Sequence, residues 1–213
     1  MLDDPKLVRH KSGLLVRPNT GEAGMVAESK RSYGWMNMKD RRVLDVGANI
    51  GAFSRMAVEL GATVEAYEPD LENYNLLCVN SPRSRNIRSA LVTGSDKEVI
   101  LYKTTSGKNP GNYSTVAFKG RDEVYVPANN IRDVYKKFSP QVIKMDCEGS
   151  EYDLLQIPIP DSTDEITVEL HLNKREWKEG MAALVLDIFK DWQVVKQPKI
   201  EPTLWHTIGA WRR

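Results

Sequence analysis

The sequence VLDVGANIGAF spans residues 43–53. Its first half is a short apolar run that predicts a β-strand, and the residues after it carry apolar side chains at helical spacing. Gly47 and Gly51 lie between these two patterns. A residue without a Cβ lets the backbone turn sharply and approach a ligand closely. The stretch therefore predicts a strand, a tight turn and a helix, a corner suited to binding a nucleoside cofactor.

Alternating strand and helix patterns continue along the chain. The further predicted strands are Thr63–Tyr67, Ile87–Val92, Val142–Met145, Ile166–Leu172, Gln193–Lys196 and Leu204–Ala210. Ser150 and Asp153 have the spacing of a capping box at the start of a helix. Strands that alternate with helices imply an α/β fold with a mostly parallel sheet covered on both faces, and the last two strands predict an antiparallel hairpin at its edge.

Two regions depart from this alternation. Residues 1–42 form a lead-in to a single domain at 43–213. Between Gly94 and Pro140, the segments Val99–Thr104 and Val116–Val126 predict added strands around a polar loop. Within it, Lys108–Ser114 could be an acceptor loop or simply the tip of a surface hairpin.

Bulk composition narrows the class of protein. A length of 213 residues suits one α/β domain, and a net charge of +1 argues against a strongly basic nucleic-acid surface. Cys78 and Cys147 form no CxxC pair, so two buried thiols in a reducing compartment are expected. No segment has the features of a secretion signal or a membrane span. We therefore expect a soluble, cytoplasmic protein.

Residues at the strand ends are the candidates for cofactor binding. A dinucleotide fingerprint is incomplete, because Asn49 replaces its second glycine and Ser54 departs near its end. Asp45 could accept hydrogen bonds from an ammonium group, and Glu68 could accept them from both hydroxyls of a ribose. The alternative is that the glycines merely form a turn and Glu68 is a solvated charge. The full candidate set is Asp45, Gly47, Ala48, Asn49, Gly51, Glu68, Pro69 and Asp146.

Three motifs together resemble the FkbM methyltransferase family: GANIGAFS at 47–54, VIKMDCEGSEYDLL at 142–155 and VELHL at 168–172. The resemblance extends from about Arg42 to Leu172. It implies a Rossmann-like class I methyltransferase fold, with a seven-stranded sheet, a C-terminal antiparallel hairpin and a β insertion before the fourth strand. It also implies S-adenosylmethionine as cofactor and methyl transfer to a hydroxyl oxygen of a sugar, polyketide or similar small molecule.

Strand parity independently selects a set of ionisable residues. Residues two apart share one face of a strand, so Lys144 aligns with Asp146, and Glu169 aligns with His171. Charges at the ends of buried parallel strands need partners or a purpose, because burying an unpaired charge is costly. If the two strands are neighbours, these four side chains form one polar cluster.

Methyl transfer to an alcohol would give that cluster a role, because a hydroxyl is a poor nucleophile until its proton is removed. His171 is the candidate general base, since an unperturbed imidazole has a pKa near 6.5. Asp146 could orient the imidazole or the acceptor, and Lys144 could lower the acceptor's pKa or neutralise Asp146. Glu148 and Glu169 could hold the acceptor or brace the site. The alternatives are a structural salt-bridge network and a divalent metal site, although no metal-specific spacing is present.

Two other functions are compatible with the sequence. A nucleic-acid methyltransferase acting on a ribose hydroxyl could use the basic segments Arg83–Arg88 and Lys136–Lys137, but the near-zero net charge argues against it. A non-catalytic module could keep the fold and bind a nucleoside. Tyr33 and Trp35 could cover the site or simply pack in the lead-in.

Overall fold

The computed structural model describes residues 7–103, 113–114, 122–171, 180–198 and 206–213. The strands are β1 Val8–Arg9, β2 Leu15–Val16, β3 Arg42–Val46, β4 Thr63–Tyr67, β5 Arg85–Ile87, β6 Ala90–Val92, β7 Glu98–Lys103, β8 Tyr113–Ser114, β9 Asp122–Asn130, β10 Val142–Met145, β11 Glu165–His171, β12 Gln193–Lys196 and β13 His206–Arg212. The helices are α1 Glu22–Tyr33, α2 Ala52–Glu59, α3 Leu71–Asn80, α4 Ile131–Phe138, α5 Glu151–Leu154 and α6 Gly180–Ile188. Among these helices, none is long and apolar enough to cross a membrane.

Within the described residues, seven strands form the main sheet in the order β12-β13-β11-β10-β3-β4-β5. The strands from β11 to β5 pair in parallel, and β13 pairs antiparallel with both β11 and β12. Val43 and Leu44 are fully buried in two different apolar clusters, one on each face of the sheet. The predicted mostly parallel sheet with a terminal antiparallel hairpin is confirmed, because apolar strands of this kind are buried on both faces.

The strand order reverses between β3 and β10, since β4 follows on one side of β3 and β10 lies on its other side. Ligands of open α/β sheets bind in the crevice at such a switch point, outside the carboxyl ends of the strands. Lys144 pairs with Asp45 on one side and Thr167 on the other. The same register, continued by two residues, places Asp146 opposite Glu169 at the open end of the sheet.

A second sheet, with order β6-β9-β7-β8, contains the insertion. The predicted single strand Ile87–Val92 is wrong, because β5 ends at Ile87 in the main sheet and β6 pairs with β9 in the second sheet. The Ser89 hydroxyl donates to the carbonyl of Pro127, which joins the connecting residues to β9. The apolar pattern of this segment predicts a strand, but it does not show which neighbouring strand each half of the segment pairs with. Residues 122–126 of the predicted strand Val116–Val126 belong to β9, which continues to Asn130, and residues 116–121 lie outside the described ranges.

The predicted capping box at Ser150 is also wrong. Ser150 precedes α5 but makes no side-chain hydrogen bond as its N-cap. The side chain of Glu151 turns back instead and accepts hydrogen bonds from the backbone N–H groups of Cys147 and Gly149, each at 2.9 Å. The turn before α5 is therefore held by the first helical residue. The capping-box spacing is present, but the Asp153 N–H donates to the backbone carbonyl of Ser150, at 3.1 Å, instead of to its side chain.

Candidate functional site

A solvent-open cleft with an empty volume of about 620 Å³ lies at the carboxyl ends of β3, β4 and β10. Leu101 of β7 is part of its wall, so the insertion contributes to the cleft. The predicted residues that line it are Gly47, Asn49, Glu68, Pro69, Asp146 and Glu148. The other predicted site residues are not part of this lining: Asp45, Ala48, Gly51, Lys144, Glu169 and His171.

The turn after β3 requires glycine at position 47. Gly47 has a φ of +75°, and a Cβ there would lie 1.7 Å from the carbonyl oxygen of Asp146. The N–H groups of Gly47 and Ala48 both donate to the carbonyl of Tyr67, at 3.0 and 2.9 Å. The turn is thus pressed against the end of β10 and tied to the end of β4. This close approach shapes one wall of the cleft.

Glu68 presents a buried carboxylate at the cleft, with 5% of the residue exposed. One of its oxygens accepts from Asn49 N at 2.8 Å and the other from Asp70 N at 2.9 Å. Burial raises the pKa of Glu68 to about 7, against the opposing effect of these two hydrogen bonds. Both oxygens are fixed in place and keep further lone pairs, so the residue fits the predicted role of ribose acceptor.

Asp45 is a buried carboxylate of β3. Its side chain is fully buried, accepts a hydrogen bond from Ser54 Oγ at 2.5 Å, and lies 3.2 Å from Lys144 Nζ. It is not among the residues that line the cleft. Its direct contact with an ammonium group stays a prediction.

Lys144 connects the turn after β3 to the end of β10. Its ammonium donates to the carbonyl of Gly47 at 2.6 Å and lies 3.8 Å from Asp146 Oδ2. Burial alone would lower the pKa of Lys144, but the charges of Asp45 and Asp146 outweigh it and raise that pKa to about 12. Lys144 therefore stays charged and holds the turn. Of its two predicted roles, this geometry supports the neutralisation of Asp146.

The carboxylates of Asp146, Glu148 and Glu169 surround one edge of the His171 ring. Measured from His171 Nε2, the nearest carboxylate oxygens lie at 3.9 Å for Asp146, 3.5 Å for Glu148 and 4.0 Å for Glu169. The structure thus brings together three of the residues selected by strand parity, Asp146, Glu169 and His171, and adds Glu148. We refer to these four residues as the carboxylate–histidine cluster. Asp146 and Glu148 belong both to this cluster and to the lining of the cleft.

Glu151 is a member of the site to which the sequence analysis assigned no role. It is fully buried, and its Oε1 lies 2.9 Å from His171 Nδ1. The same carboxylate accepts the two backbone N–H groups of the turn before α5. The signal was present, since Glu151 is the second glutamate of the motif at 142–155. Its capping pattern concealed that the side chain faces a histidine twenty residues later.

The electrostatics of the cluster change the argument for His171 as a base. Burial alone would lower the pKa of His171, but the hydrogen bond and charge of Glu151, with the charges of Asp146 and Glu169, raise that pKa to about 9. Burial, with the neighbouring charge of Asp146, also raises the pKa of Glu169 to about 8. In this state the imidazole is protonated at neutral pH. An unperturbed pKa near 6.5 therefore does not justify a base role for His171.

Three further predicted contributors are Tyr33, Trp35 and the acceptor loop. Tyr33 is buried and packs edge to face on Phe53, with ring centroids 5.0 Å apart, in keeping with a packing role. The Trp35 ring lies 5.4 Å from the guanidinium of Arg212. The proposed acceptor loop Lys108–Ser114 falls outside the described residues, except for the backbone of β8.

Comparisons with known proteins agree with this architecture. A family profile described as Methyltransferase FkbM domain matches residues 45–193. A solved structure from Escherichia coli, assigned as the methyltransferase yhhF, has a TM-score of 0.50 and 13% identity and covers 97% of this chain and 98% of that one. Magnesium protoporphyrin IX methyltransferase from Synechocystis PCC 6803, solved with bound S-adenosylmethionine, has a TM-score of 0.49 and 11% identity, with 89% and 80% covered. No curated protein sequence matches the chain significantly.

Proposed function

Because the chain belongs to the FkbM methyltransferase domain family and is thus an S-adenosylmethionine-dependent methyltransferase, we propose that it methylates a hydroxyl oxygen of a small molecule such as a sugar or polyketide. One observation carries the proposal. The Asp146 carboxylate lines the cofactor cleft and also faces His171 Nε2 at 3.9 Å. A single side chain thereby joins the cleft to a cluster suited to handling a proton.

The residues of the cleft fit the cofactor. The fixed Glu68 carboxylate, with one lone pair of each oxygen engaged by backbone N–H groups, can accept hydrogen bonds from two ribose hydroxyls. The turn at Gly47 brings backbone, rather than a side chain, to the wall of the cleft. When bound, S-adenosylmethionine supplies a methyl group on a positively charged sulfur. The acidic residues at the adjoining end of the cleft complement a cationic ligand.

The proposed reaction is an in-line displacement. The acceptor oxygen forms a bond to the methyl carbon, the bond between that carbon and sulfur breaks, and its electron pair stays on sulfur. The hydroxyl proton passes to a carboxylate oxygen of Asp146, which lines the cleft and lies 3.9 Å from His171 Nε2. Asp146 and Glu148 are the members of the cluster that also line the cleft, with side chains 28% and 29% exposed, so they are placed to contact the acceptor. Holding the acceptor in line accounts for much of the rate enhancement in such reactions.

The proposal includes a small hydroxylated acceptor as partner and a cytoplasmic location. The two cysteines are free thiols, which supports a reducing compartment. The acceptor class follows from the resemblance to a family that methylates oxygen and from the proton-handling cluster beside the cleft.

The test is a transfer assay with S-adenosylmethionine carrying a ¹³C-methyl group. Purified protein is incubated with panels of sugars, polyketides, amines and RNA, and the ¹³C chemical shift of the product identifies the methylated atom. A methyl ether on a small molecule supports the proposal. Methylation confined to nitrogen or to RNA overturns the acceptor class. Cofactor binding without transfer to any panel would favour the non-catalytic alternative.

A further inference from the structure

His171 Nε2 points at three carboxylates without a close hydrogen bond to any of them. The nearest oxygens, from Glu148, Asp146 and Glu169, lie at 3.5, 3.9 and 4.0 Å. These separations are at or beyond the limit of a hydrogen bond. The side chain of His171 is only 7% exposed, and no described residue makes a hydrogen bond to Nε2. Nε2 and the three carboxylate oxygens therefore surround a common point rather than bond to one another.

The opposite edge of the imidazole is fixed in place. His171 Nδ1 lies 2.9 Å from Glu151 Oε1, and Glu151 is itself anchored by the backbone N–H groups of Cys147 and Gly149. With Nδ1–H donated to this carboxylate, loss of the Nε2 proton, which metal binding requires, leaves the Nε2 lone pair facing the other three acids. Histidines that bind metals show the same arrangement, donating the second ring N–H to a carboxylate that sets tautomer and orientation.

Negative charge exceeds positive charge around this point. The one described lysine at the site, Lys144, is occupied by Asp45 at 3.2 Å and by Asp146 Oδ2 at 3.8 Å. The other oxygen of Asp146, Oδ1, is the one that faces His171. Glu169 Oε1 lies 4.0 Å from His171 Nε2 and 3.5 Å from Nε2 of the exposed His206. Two carboxylate oxygens and one imidazole nitrogen thus face each other, and the nearby cation is already engaged.

We propose that Asp146, Glu169 and His171 bind a divalent first-row cation of the Mn²⁺ type, with Glu151 as the positioning residue for His171. One donor atom from each of the three lies within 4.8 Å of the others. Donors bound about 2.1 Å from one ion lie about 3 to 4.2 Å apart, so small side-chain rotations complete the geometry. One imidazole with two carboxylates suits Mn²⁺ or Zn²⁺ better than Ca²⁺, which takes oxygen ligands.

The position of the site suggests what the ion does. Asp146 also lines the cofactor cleft, so the ion lies beside the place where a methyl group is delivered. Three protein ligands leave positions open for an acceptor hydroxyl, and a bound cation lowers the pKa of a coordinated oxygen. This role rests on the proposed function. Binding of the ion by the three side chains does not, and it can be measured without cofactor or acceptor.

The experiment titrates the full chain with MnCl₂ after removal of bound metals by EDTA. Calorimetry and the electron paramagnetic resonance signal of free Mn²⁺ both report binding. We expect one ion per chain, at least tenfold weaker affinity in His171→Asn and Glu169→Gln, and a loss of about ten- to a hundredfold in Glu151→Gln. His10→Asn is the matched control, since it removes an imidazole of the β1–β2 hairpin outside the cluster and should leave the affinity unchanged.

Two outcomes would overturn the site: no saturable binding of Mn²⁺ or Zn²⁺ at millimolar concentration, or binding unchanged by His171→Asn and Glu169→Gln. The first would leave His171 as an imidazolium paired with its carboxylates. Circular dichroism and affinity for S-adenosylhomocysteine confirm that each variant is folded. Because these measurements use no acceptor, failure of the metal site is distinguishable from failure of the methyl-transfer proposal, which the ¹³C assay tests separately.

Discussion

His171 Nδ1 lies 2.9 Å from Glu151 Oε1, at a point where both side chains are buried. The contact joins the last residue of β11 to the first residue of α5, and it also anchors the turn that carries Glu148. A buried carboxylate that accepts three hydrogen bonds organises its surroundings, because each donor would otherwise lose its partner. Glu151 therefore links the stability of the fold to the geometry of the cluster.

Replacing Glu151 by alanine should destabilise the protein. The change leaves two backbone N–H groups and the His171 ring without their acceptor, and breaking a buried charged pair in this way costs about 3 kcal/mol. Urea denaturation followed by circular dichroism measures the free energy of unfolding. Glu59→Ala is the control, because the Glu59 side chain is 54% exposed and should change stability by no more than about 0.5 kcal/mol. Equal effects of the two substitutions would contradict a structural role for Glu151.

Two glycine-to-alanine substitutions should have opposite effects. At Gly47 the new Cβ would collide with the Asp146 carbonyl, 1.7 Å away, in a left-handed backbone conformation, so we expect a marked loss of both stability and cofactor affinity. At Gly24, an exposed position in α1, the new Cβ would meet nothing within 4 Å. Alanine there should stabilise the helix by about 0.5 to 1 kcal/mol. Thermal unfolding with and without S-adenosylhomocysteine tests both, and a harmless Gly47→Ala would refute the close approach.

Cofactor affinity should rise with pH through the titration of Glu68. Burial raises the pKa of Glu68 to about 7, so its ionised fraction grows from roughly one-tenth at pH 6 to nine-tenths at pH 8. The ionised form is the better acceptor for two ribose hydroxyls, so affinity for S-adenosylhomocysteine should increase by up to roughly tenfold over this range. In Glu68→Gln the affinity should be lower and its pH dependence flat between pH 6 and 8. A wild-type affinity independent of pH would exclude Glu68 as the ribose acceptor.

The same pKa shift has a consequence for the unbound protein. A carboxyl whose folded pKa lies above its unfolded value favours folding at low pH, and that contribution is lost as pH rises through about 7. Glu68→Gln should therefore remove part of the decline in stability between about pH 4.5 and pH 7. Urea titrations at several pH values provide the comparison, and identical pH profiles for the two proteins would contradict the shift.

His171→Asn should separate binding from chemistry. His171 belongs to the cluster but does not line the cofactor cleft, so affinity for S-adenosylhomocysteine should stay within about twofold of wild type. Turnover should fall by roughly a hundredfold or more, as is usual when a group that handles a proton or holds a metal is removed. Single-turnover transfer to the acceptor found in the ¹³C assay gives the rate. Near-normal turnover would make His171 a structural residue while leaving the methyltransferase assignment intact.

Sequence reasoning was most successful where function follows from local pattern. Strand parity placed Lys144 and Asp146 on one face of their strand, and it placed Glu169 and His171 on one face of the next strand. The structure brings these residues together. Strand parity did not indicate the contacts of the Asp45 carboxylate with Ser54 and Lys144. The contact with Lys144 depends on β10 being the neighbour of β3.

The order of strands and helices, the glycine turn and the acidic residues at strand ends were all present in the sequence, because periodicity and turn chemistry are properties of neighbouring residues. The partners of those residues were not. The split between β5 and β6 and the contact of Glu151 with His171 both depend on which segments become adjacent after folding. The raised pKa of His171 depends in the same way on burial among carboxylates from other segments, because electrostatic environment is set by distances in space rather than along the chain.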